Sequence, residues 1–98
     1  MAFFAHETAE VSDKAIIGDG TKIWNHAQVR ENAKIGSNCI ISKNVYIDSD
    51  VSIGSGVKIQ NNVSVYDDVI VEDDVFLGPS MVFTNVINPI NVLSSLSS

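Results

Sequence analysis

The chain has 98 residues and a mass of 10.6 kDa, enough for one small domain but not for two with separate cores. Its net charge of −6 and isoelectric point near 4.5 argue against a nucleic-acid partner or an anionic membrane surface, because both need clustered lysine and arginine. A single cysteine, Cys39, excludes an internal disulfide and suits a reducing compartment, and no apolar run approaches the length of a membrane span. We therefore expect a cytoplasmic protein.

Large apolar residues recur at every sixth position from Val11 to Phe83. All thirteen positions are apolar, which at a hydrophobic content of 45% would happen by chance on the order of once in thirty thousand trials. A period of six fits neither an α-helix nor a simply alternating strand. A second series of small or β-branched residues follows four positions later, from Ala15 to Met81. The first series comprises Val11, Ile17, Ile23, Val29, Ile35, Ile41, Ile47, Ile53, Ile59, Val65, Val71, Leu77 and Phe83.

Turn-forming residues occupy the third position after each residue of the first series. Nine of the twelve such positions are Gly, Asn or Asp, which tolerate left-handed backbone angles. Each six-residue unit therefore predicts one short strand followed by one corner. Three units close one coil of a triangular solenoid, and successive coils stack as parallel ladders about 4.8 Å apart. The sequence predicts an all-β fold of about four to five coils with both apolar series inside.

The repeat resembles that of the hexapeptide-repeat acyltransferases, as in the units IGDGTK at 17–22 and IGSGVK at 53–58. The resemblance covers residues 5–89 and implies a left-handed parallel β-helix forming one domain over residues 1–89. The usual crossover rule favours the right hand, so the left-handed assignment comes from the resemblance alone. Two stretches, GDGTKIWNHAQV at 18–29 and IQNNVSVYDDVIVEDDVFLGPSMVFTNVINP at 59–89, are similar to nucleotide-sugar 3-N-acetyltransferases.

That resemblance implies an activity and a set of partners. The expected reaction transfers acetyl from acetyl-coenzyme A to the 3-amino group of a UDP- or dTDP-linked amino sugar, for surface polysaccharide synthesis. The family forms homotrimers in which sugar and coenzyme meet between neighbouring subunits. A flat solenoid wall offers little concavity, so a groove between two walls is the natural place for such a site.

Asn85 aligns with the family asparagine that stands beside the reacting amine, and its carbonyl would hold the amine towards the thioester. The alternative is an ordinary corner asparagine, since the preceding corners are largely Asn, Asp or Gly. Asn88 and Pro89 fall where the regular period stops. They either form a loop of the site or simply end the ladder, because proline cannot donate to it.

Gln60, Asn61 and Asn62, together with Tyr66 one unit later, replace the usual turn residues by polar and aromatic side chains. They resemble the part of the family's surface that receives the nucleotide sugar. An asparagine-rich corner whose side chains stack on their neighbours is the alternative. Trp24 follows an inward residue and is expected to point outward, towards another subunit or a nucleotide base.

The two histidines, His6 and His26, do not indicate a metal site. They lie twenty residues apart, whereas residues of adjacent coils that stack on one wall lie eighteen apart. The γ-class carbonic anhydrases on the same fold need three imidazoles. We therefore expect no metal, and His26 as a general base is a weaker alternative to catalysis by positioning.

Residues 90–98 lack the six-residue register and are predicted to form a non-repeat C-terminal tail. The resembled family continues beyond this point with an arginine and further coils that form much of the coenzyme A groove. We therefore expect a truncated chain in which the acetyl-donor half is largely missing. A non-catalytic trimeric β-helix scaffold or remnant, binding at most the nucleotide sugar, is the alternative function. The open edge of the last coil is predicted to be covered by Ile90, Val92, Leu93 and Leu96, through folding back or end-to-end pairing.

Overall fold

The computed structural model describes residues 2–79 and the strand 82–83 as a series of very short strands joined by tight corners. Each strand has two residues, and one begins every six residues. This part of the chain contains no helix and therefore none that could cross a membrane. The strands are β1 (Phe4–Ala5), β2 (Glu10–Val11), β3 (Ile16–Ile17), β4 (Lys22–Ile23), β5 (Gln28–Val29), β6 (Lys34–Ile35), β7 (Ile40–Ile41), β8 (Tyr46–Ile47), β9 (Ser52–Ile53), β10 (Lys58–Ile59), β11 (Ser64–Val65), β12 (Ile70–Val71), β13 (Phe76–Leu77) and β14 (Val82–Phe83).

Successive strands belong to three different sheets, which are the three walls of a prism. Sheet A has the order β1-β4-β7-β10-β13, sheet B has β14-β11-β8-β5-β2, and sheet C has β12-β9-β6-β3. Each strand pairs in parallel with the strand eighteen residues further on, as Lys22 does with Ile40. The Lys22 amide donates to the carbonyl of Cys39 at 2.9 Å, and this pattern repeats along each wall. The result is the all-β, three-walled parallel β-helix of between four and five coils that the sequence predicts, and it fits the left-handed β-helix that the resemblance implies.

The second residue of each strand from β2 to β13 points into the prism. Ile23, Ile41 and Ile59 lie one above another beneath sheet A with no exposed surface. Burying each such side chain contributes about 1.5–3 kcal/mol. The small series completes the core, with Ala27, Ala33 and residues 39, 45, 51, 57 and 63 all buried. Both apolar series are therefore inside between residues 21 and 71, as predicted, and their members nearer the ends of the described coils, Val11, Ala15, Ile17 and Val75, are partly buried against the core.

The corners adopt the left-handed backbone that their residue types predict. Every sixth residue from Gly20 to Asp74 has a positive φ, between 57° and 79°. Even His26 does so, with φ of 60°, because the corner geometry overrides its side-chain preference. Thr8 and Lys14, at the equivalent positions of the first coil, are the exceptions.

Two features show how closely adjacent coils pack. A Cβ placed on Gly54 would lie 2.7 Å from the backbone nitrogen of Asp73, so this corner admits no side chain. Thr21 is a polar residue in the core with no exposed surface. Its hydroxyl donates to the Gly36 carbonyl at 2.7 Å and accepts from the Cys39 amide at 3.1 Å, so its hydrogen-bonding capacity is used.

The predicted boundary between residues 1–89 and 90–98 lies outside the described residues, as does the predicted covering of the last coil. Both stay predictions.

Candidate functional site

The sequence-predicted binding residues lie along two borders of sheet B. Gln60, Asn61 and Asn62 follow β10 at the A–B corner, where the chain passes from sheet A to sheet B. Tyr66 follows β11 at the B–C corner, where it passes from sheet B to sheet C. Gln60 and Tyr66 are six residues apart, a length of chain that spans at most about 20 Å, and β11 lies between them. The two groups therefore flank one wall of the prism. The structure does not bring them into a single cluster.

Asn85 and Asn88 lie outside the described residues, so their predicted roles stay predictions. Along the sequence, Asn85 comes two residues after β14, the terminal strand of sheet B.

The outward residues give each wall a different chemistry. Sheet B presents the polar set Glu10, Gln28, Tyr46 and Ser64. Sheet C presents Ile16, Lys34, Ser52 and Ile70. Sheet A presents Phe4, Lys22, Ile40, Lys58 and Phe76. Sheet B is therefore the wall best supplied with hydrogen-bonding groups for a polar ligand.

A network of side chains joins Tyr66 to the two coils before it. The ring centroids of Tyr66 and Tyr46 are 5.8 Å apart with planes inclined at 52°. The Tyr46 hydroxyl donates to Asp48 Oδ1 at 3.2 Å and accepts from Arg30 Nη1 at 3.3 Å. The backbone amide of Ser49 also donates to Asp48 Oδ1, at 2.8 Å. These contacts hold Tyr46 in place and leave Tyr66 at 39% exposure, with a ring that is accessible for stacking.

The same network fixes the charge states of two surface groups. Arg30 Nε lies 3.2 Å from Glu31 Oε1. The pKa of Glu31 is lowered, first by its own backbone amide and then by the charge of Arg30. The pKa of Arg30 is raised, chiefly by its hydrogen bond with Tyr46. Both groups are therefore charged at neutral pH.

Sequence reasoning missed Tyr46, Asp48 and Arg30. A signal for two of them was available, because eighteen-residue steps back from Tyr66 lead to Asp48 and then to Arg30. Tyr46 is the outward residue of β8, and its contact with Tyr66 depends on the side-chain directions that only the structure gives.

At the A–B corner, the backbone is engaged while the side chains remain accessible. The Gln60 amide donates to the Leu77 carbonyl at 3.0 Å, and the Asn62 amide donates to the Lys43 carbonyl at 3.1 Å. Asn61 and Asn62 are exposed, and Gln60 is partly exposed. The side chains are thus free to meet a ligand.

Trp24 lies outside the core at the same corner, as predicted. It is 39% exposed, and its ring centroid lies 5.3 Å from that of Phe4. Part of the ring is therefore covered by this chain's own first strand, a contact that the sequence did not predict.

The histidines take part in local hydrogen bonds. The hydroxyl of Thr8 lies 3.0 Å from Nδ1 of His6 and accepts from the His26 amide at 3.0 Å. Across the described ranges, no group of three or more His, Cys, Asp or Glu side chains is arranged to hold a metal ion.

Charge is distributed unevenly around the site. The A–B corner carries Glu7 and Lys43, which balance. The B–C corner carries six carboxylates and only two cations, so this border of sheet B repels phosphate and attracts an ammonium group. Its carboxylates belong to Asp13, Glu31, Asp48, Asp50, Asp67 and Asp68, and its cations to Lys14 and Arg30.

Comparison with solved structures found similar proteins. One is a histidine-to-asparagine mutant of perosamine N-acetyltransferase from Caulobacter crescentus, in complex with CoA and GDP-perosamine. It is 18% identical with a TM-score of 0.51, over 86% of this chain and 52% of that one, and the likeness concerns the fold. Another is PerB from Caulobacter crescentus, also with CoA and GDP-perosamine, at 15% identity and a TM-score of 0.43, over 83% and 52% of the two chains. This chain thus spans about half the length of these structures.

A search among curated proteins found no match. The sequence does match the family described as bacterial transferase hexapeptide (six repeats), over residues 14–49 and 50–82. These two segments contain most of the strands and corners described above. The chain belongs to the bacterial transferase hexapeptide family.

Proposed function

We propose that the chain carries the nucleotide-sugar side of an N-acetyltransferase that works as a homotrimer in the cytoplasm. The reaction transfers acetyl from acetyl-coenzyme A to the 3-amino group of a nucleotide-linked amino sugar, for surface polysaccharide synthesis. Membership of a transferase family and a β-helix shared with a nucleotide-sugar N-acetyltransferase support this assignment.

The observation that carries the proposal is that the described binding residues inferred from sequence border sheet B, whose outward residues on β2, β5, β8 and β11 are all polar. Gln60, Asn61 and Asn62 stand at one border of sheet B and Tyr66 at the other. A nucleotide sugar is long and polar, with one planar base, so a hydrogen-bonding wall that ends in an exposed aromatic ring suits it.

The chemistry then depends on placement of the amine. Its nitrogen attacks the thioester carbonyl, the new C–N bond forms, and the C–S bond breaks as the coenzyme thiolate leaves. The nitrogen releases one proton, which converts the thiolate to the free thiol. Asn85 would accept a hydrogen bond from the amine and direct its lone pair to the carbonyl carbon. Correct placement alone supplies a large part of such a rate enhancement, so no strong base is needed.

The described residues around sheet B do not fit the phosphates of coenzyme A. The A–B corner is neutral, and the B–C corner carries a net charge of about −4, by the rule that Asp and Glu are ionised and Lys and Arg are charged at pH 7. Arg30 is already engaged by Glu31 and Tyr46. The described residues around sheet B therefore offer no binding site for the phosphates of the coenzyme.

This lack of cations favours a second candidate function, a trimeric scaffold that binds nucleotide sugar without reacting. The two functions differ in whether the chain binds and consumes acetyl-coenzyme A.

Calorimetry and a turnover assay would test the proposal. GDP-, UDP- and dTDP-linked amino sugars are titrated separately into the protein, followed by acetyl-coenzyme A, and release of the coenzyme thiol is recorded. Binding of a nucleotide sugar with thiol release supports the transferase. Binding of the sugar alone supports the scaffold, and binding of neither ligand refutes both.

Tyr66→Ala and Ile70→Ala give a matched pair for the same titration. Both remove a large exposed side chain, but Tyr66 borders sheet B whereas Ile70 lies on sheet C. Loss of a stacking contact weakens binding by about 1–3 kcal/mol, so Tyr66→Ala should raise Kd on the order of tenfold or more. Ile70→Ala should leave Kd unchanged, and equal effects of the two changes would contradict the assignment of the wall.

A further inference from the structure

The walls and corners of the prism differ in charge, and the two most different surfaces lie opposite each other. In a three-walled prism, the B–C corner is the edge opposite sheet A. Sheet A presents Lys22 and Lys58 and no carboxylate on its outward positions. The B–C corner carries the six carboxylates described above. The molecule therefore has a basic wall and an acidic edge on opposite sides.

The basic wall is also the wall with the largest apolar side chains. Phe4 is 46% exposed and Phe76 is 61% exposed, with Ile40 between them. Neither Lys22 nor Lys58 has an ion-pair partner within the described ranges. Aromatic residues are enriched in protein–protein interfaces, and an exposed apolar surface of this kind is typical of a contact surface and not of a wall that faces only water.

The charges on the two surfaces have matching spacing along the prism. Lys22 and Lys58 are 36 residues apart, which is two coils or about 9.6 Å. Glu31 and Asp67 at the B–C corner are also 36 residues apart. Each acid follows one lysine by nine residues, which is half a coil. Because a whole coil rises about 4.8 Å, the heights of acid and lysine along the prism axis differ by only about 2.4 Å. The same nine-residue step leads from Ile40, the uncharged residue between the two lysines, to Ser49, which is also uncharged.

We propose that the B–C edge of one copy of this chain docks on sheet A of a second copy, pairing Glu31 with the partner's Lys22 and Asp67 with the partner's Lys58. This inference rests on the homotrimer proposed above and names the surfaces that form it. The levels differ by only about 2.4 Å, a gap that flexible Lys and Glu side chains can span, so the pairing needs no appreciable translation along the prism axis. The copies are then related by rotation about an axis parallel to their own. The two surfaces are different, so the contact is heterologous, and it closes into a ring of three when that rotation is 120°.

The available area favours a closed ring over an isolated pair. Five strands stacked about 4.8 Å apart and sides of six residues give sheet A roughly 24 by 20 Å, so a contact that covered the whole wall would bury at most about 900–1,000 Å² over both copies. An edge covers only part of a wall, so a single contact falls below the lower limit of about 1,000 Å² for a specific interface. In a ring each copy uses both its wall and its edge, which doubles the buried area per chain.

Docking of this kind also affects the candidate site. It sets sheet B of one copy beside sheet A of the next, so that a groove forms between walls of two copies, and a groove is the usual place for a ligand site. The Glu31–Arg30 pair is no obstacle, because an exposed pair contributes little and Glu31 keeps its charge.

Charge reversal and charge exchange test the pairing by sedimentation equilibrium at low and at physiological salt. Lys58→Glu and Asp67→Lys should each weaken association on the order of tenfold or more, because each sets like charges against each other. The double variant Lys58→Glu/Asp67→Lys should recover association to within about threefold, since the pair is restored in reverse. Lys34→Glu on sheet C makes the same charge change as Lys58→Glu and should have no effect.

Circular dichroism would confirm that each variant keeps its β content. The interface is supported if the wild-type protein sediments with three times the chain mass of 10.6 kDa and if the charge variants change its association as described above. A wild-type trimer in which Lys58→Glu and Lys34→Glu behave alike refutes this interface and leaves the homotrimer standing. A wild-type monomer at all salt concentrations refutes the homotrimer itself.

Discussion

Replacing Ile53 by alanine tests whether the six-residue series forms the core. Ile53 is 4% exposed and lies in sheet C between Ile35 and Val71. The change removes three buried carbon atoms, worth about 0.8 kcal/mol each. The unfilled cavity raises the expected loss of unfolding free energy to about 3–4 kcal/mol. That is a large share of the stability of a small domain, which is about 5–15 kcal/mol.

Ile70→Ala is the matched control. Ile70 lies on the next strand of sheet C but points outward and is 55% exposed, so the same chemical change should cost less than about 0.5–1 kcal/mol. Urea unfolding followed by circular dichroism, at one protein concentration, would give both values. Equal losses for the two variants, or a loss below about 1 kcal/mol for Ile53→Ala, would refute the assignment of inward and outward positions.

Three further changes test the corners and the surface network. Asn44 has φ of 57°, so Asn44→Ala should lower the free energy of unfolding by about 1–2 kcal/mol, whereas Asn44→Gly should not. Equal losses for the two variants on urea unfolding would contradict the backbone explanation. Gly54→Ala should lower the thermal midpoint because its Cβ would meet the backbone of Asp73, whereas Ser52→Ala, two residues earlier, should leave it nearly unchanged. The lowered pKa of Glu31 contributes stability that is present above its unfolded pKa of about 4.3 and is lost as pH falls through the lower folded value. In an NMR titration, Arg30→Gln should raise the pKa of Glu31 only part of the way, because the backbone amide remains; a complete return would show that Arg30 alone sets it.

The fold could be predicted from the sequence because the two signals that specify it are local and repeat. Ile35, Ile53 and Val71 stack in sheet C because each is eighteen residues from the next, and the corner residues supply the turns between them. His26 shows that position outweighs residue type, since it takes the left-handed backbone of the asparagines around it. The handedness of the coil could not be derived in this way, because inward spacing is the same for either hand.

The site was harder to predict because it depends on side chains from different coils. The spacing places Gln60 and Tyr66 in adjacent units, and the structure shows that they flank one wall. Tyr46 and Arg30 join Tyr66 only through the direction of their side chains, which the six-residue pattern does not specify. The charge separation between sheet A and the B–C corner could have been found by sorting charged residues by their place in the coil, once three units are known to close one turn.

The succession of sheets A, B and C has a consequence for how such a chain tolerates changes in length. Inserting eighteen residues lengthens the prism by about 4.8 Å and returns every later side chain to its own wall. Inserting six residues keeps apolar residues at every inward position but moves all later residues to the next wall. After such an insertion ahead of β10, its outward residue Lys58 would leave sheet A and take the place that Ser64 now has on sheet B. Duplication by whole turns therefore keeps surface recognition intact, whereas gain or loss of a single unit scrambles it without harming the interior.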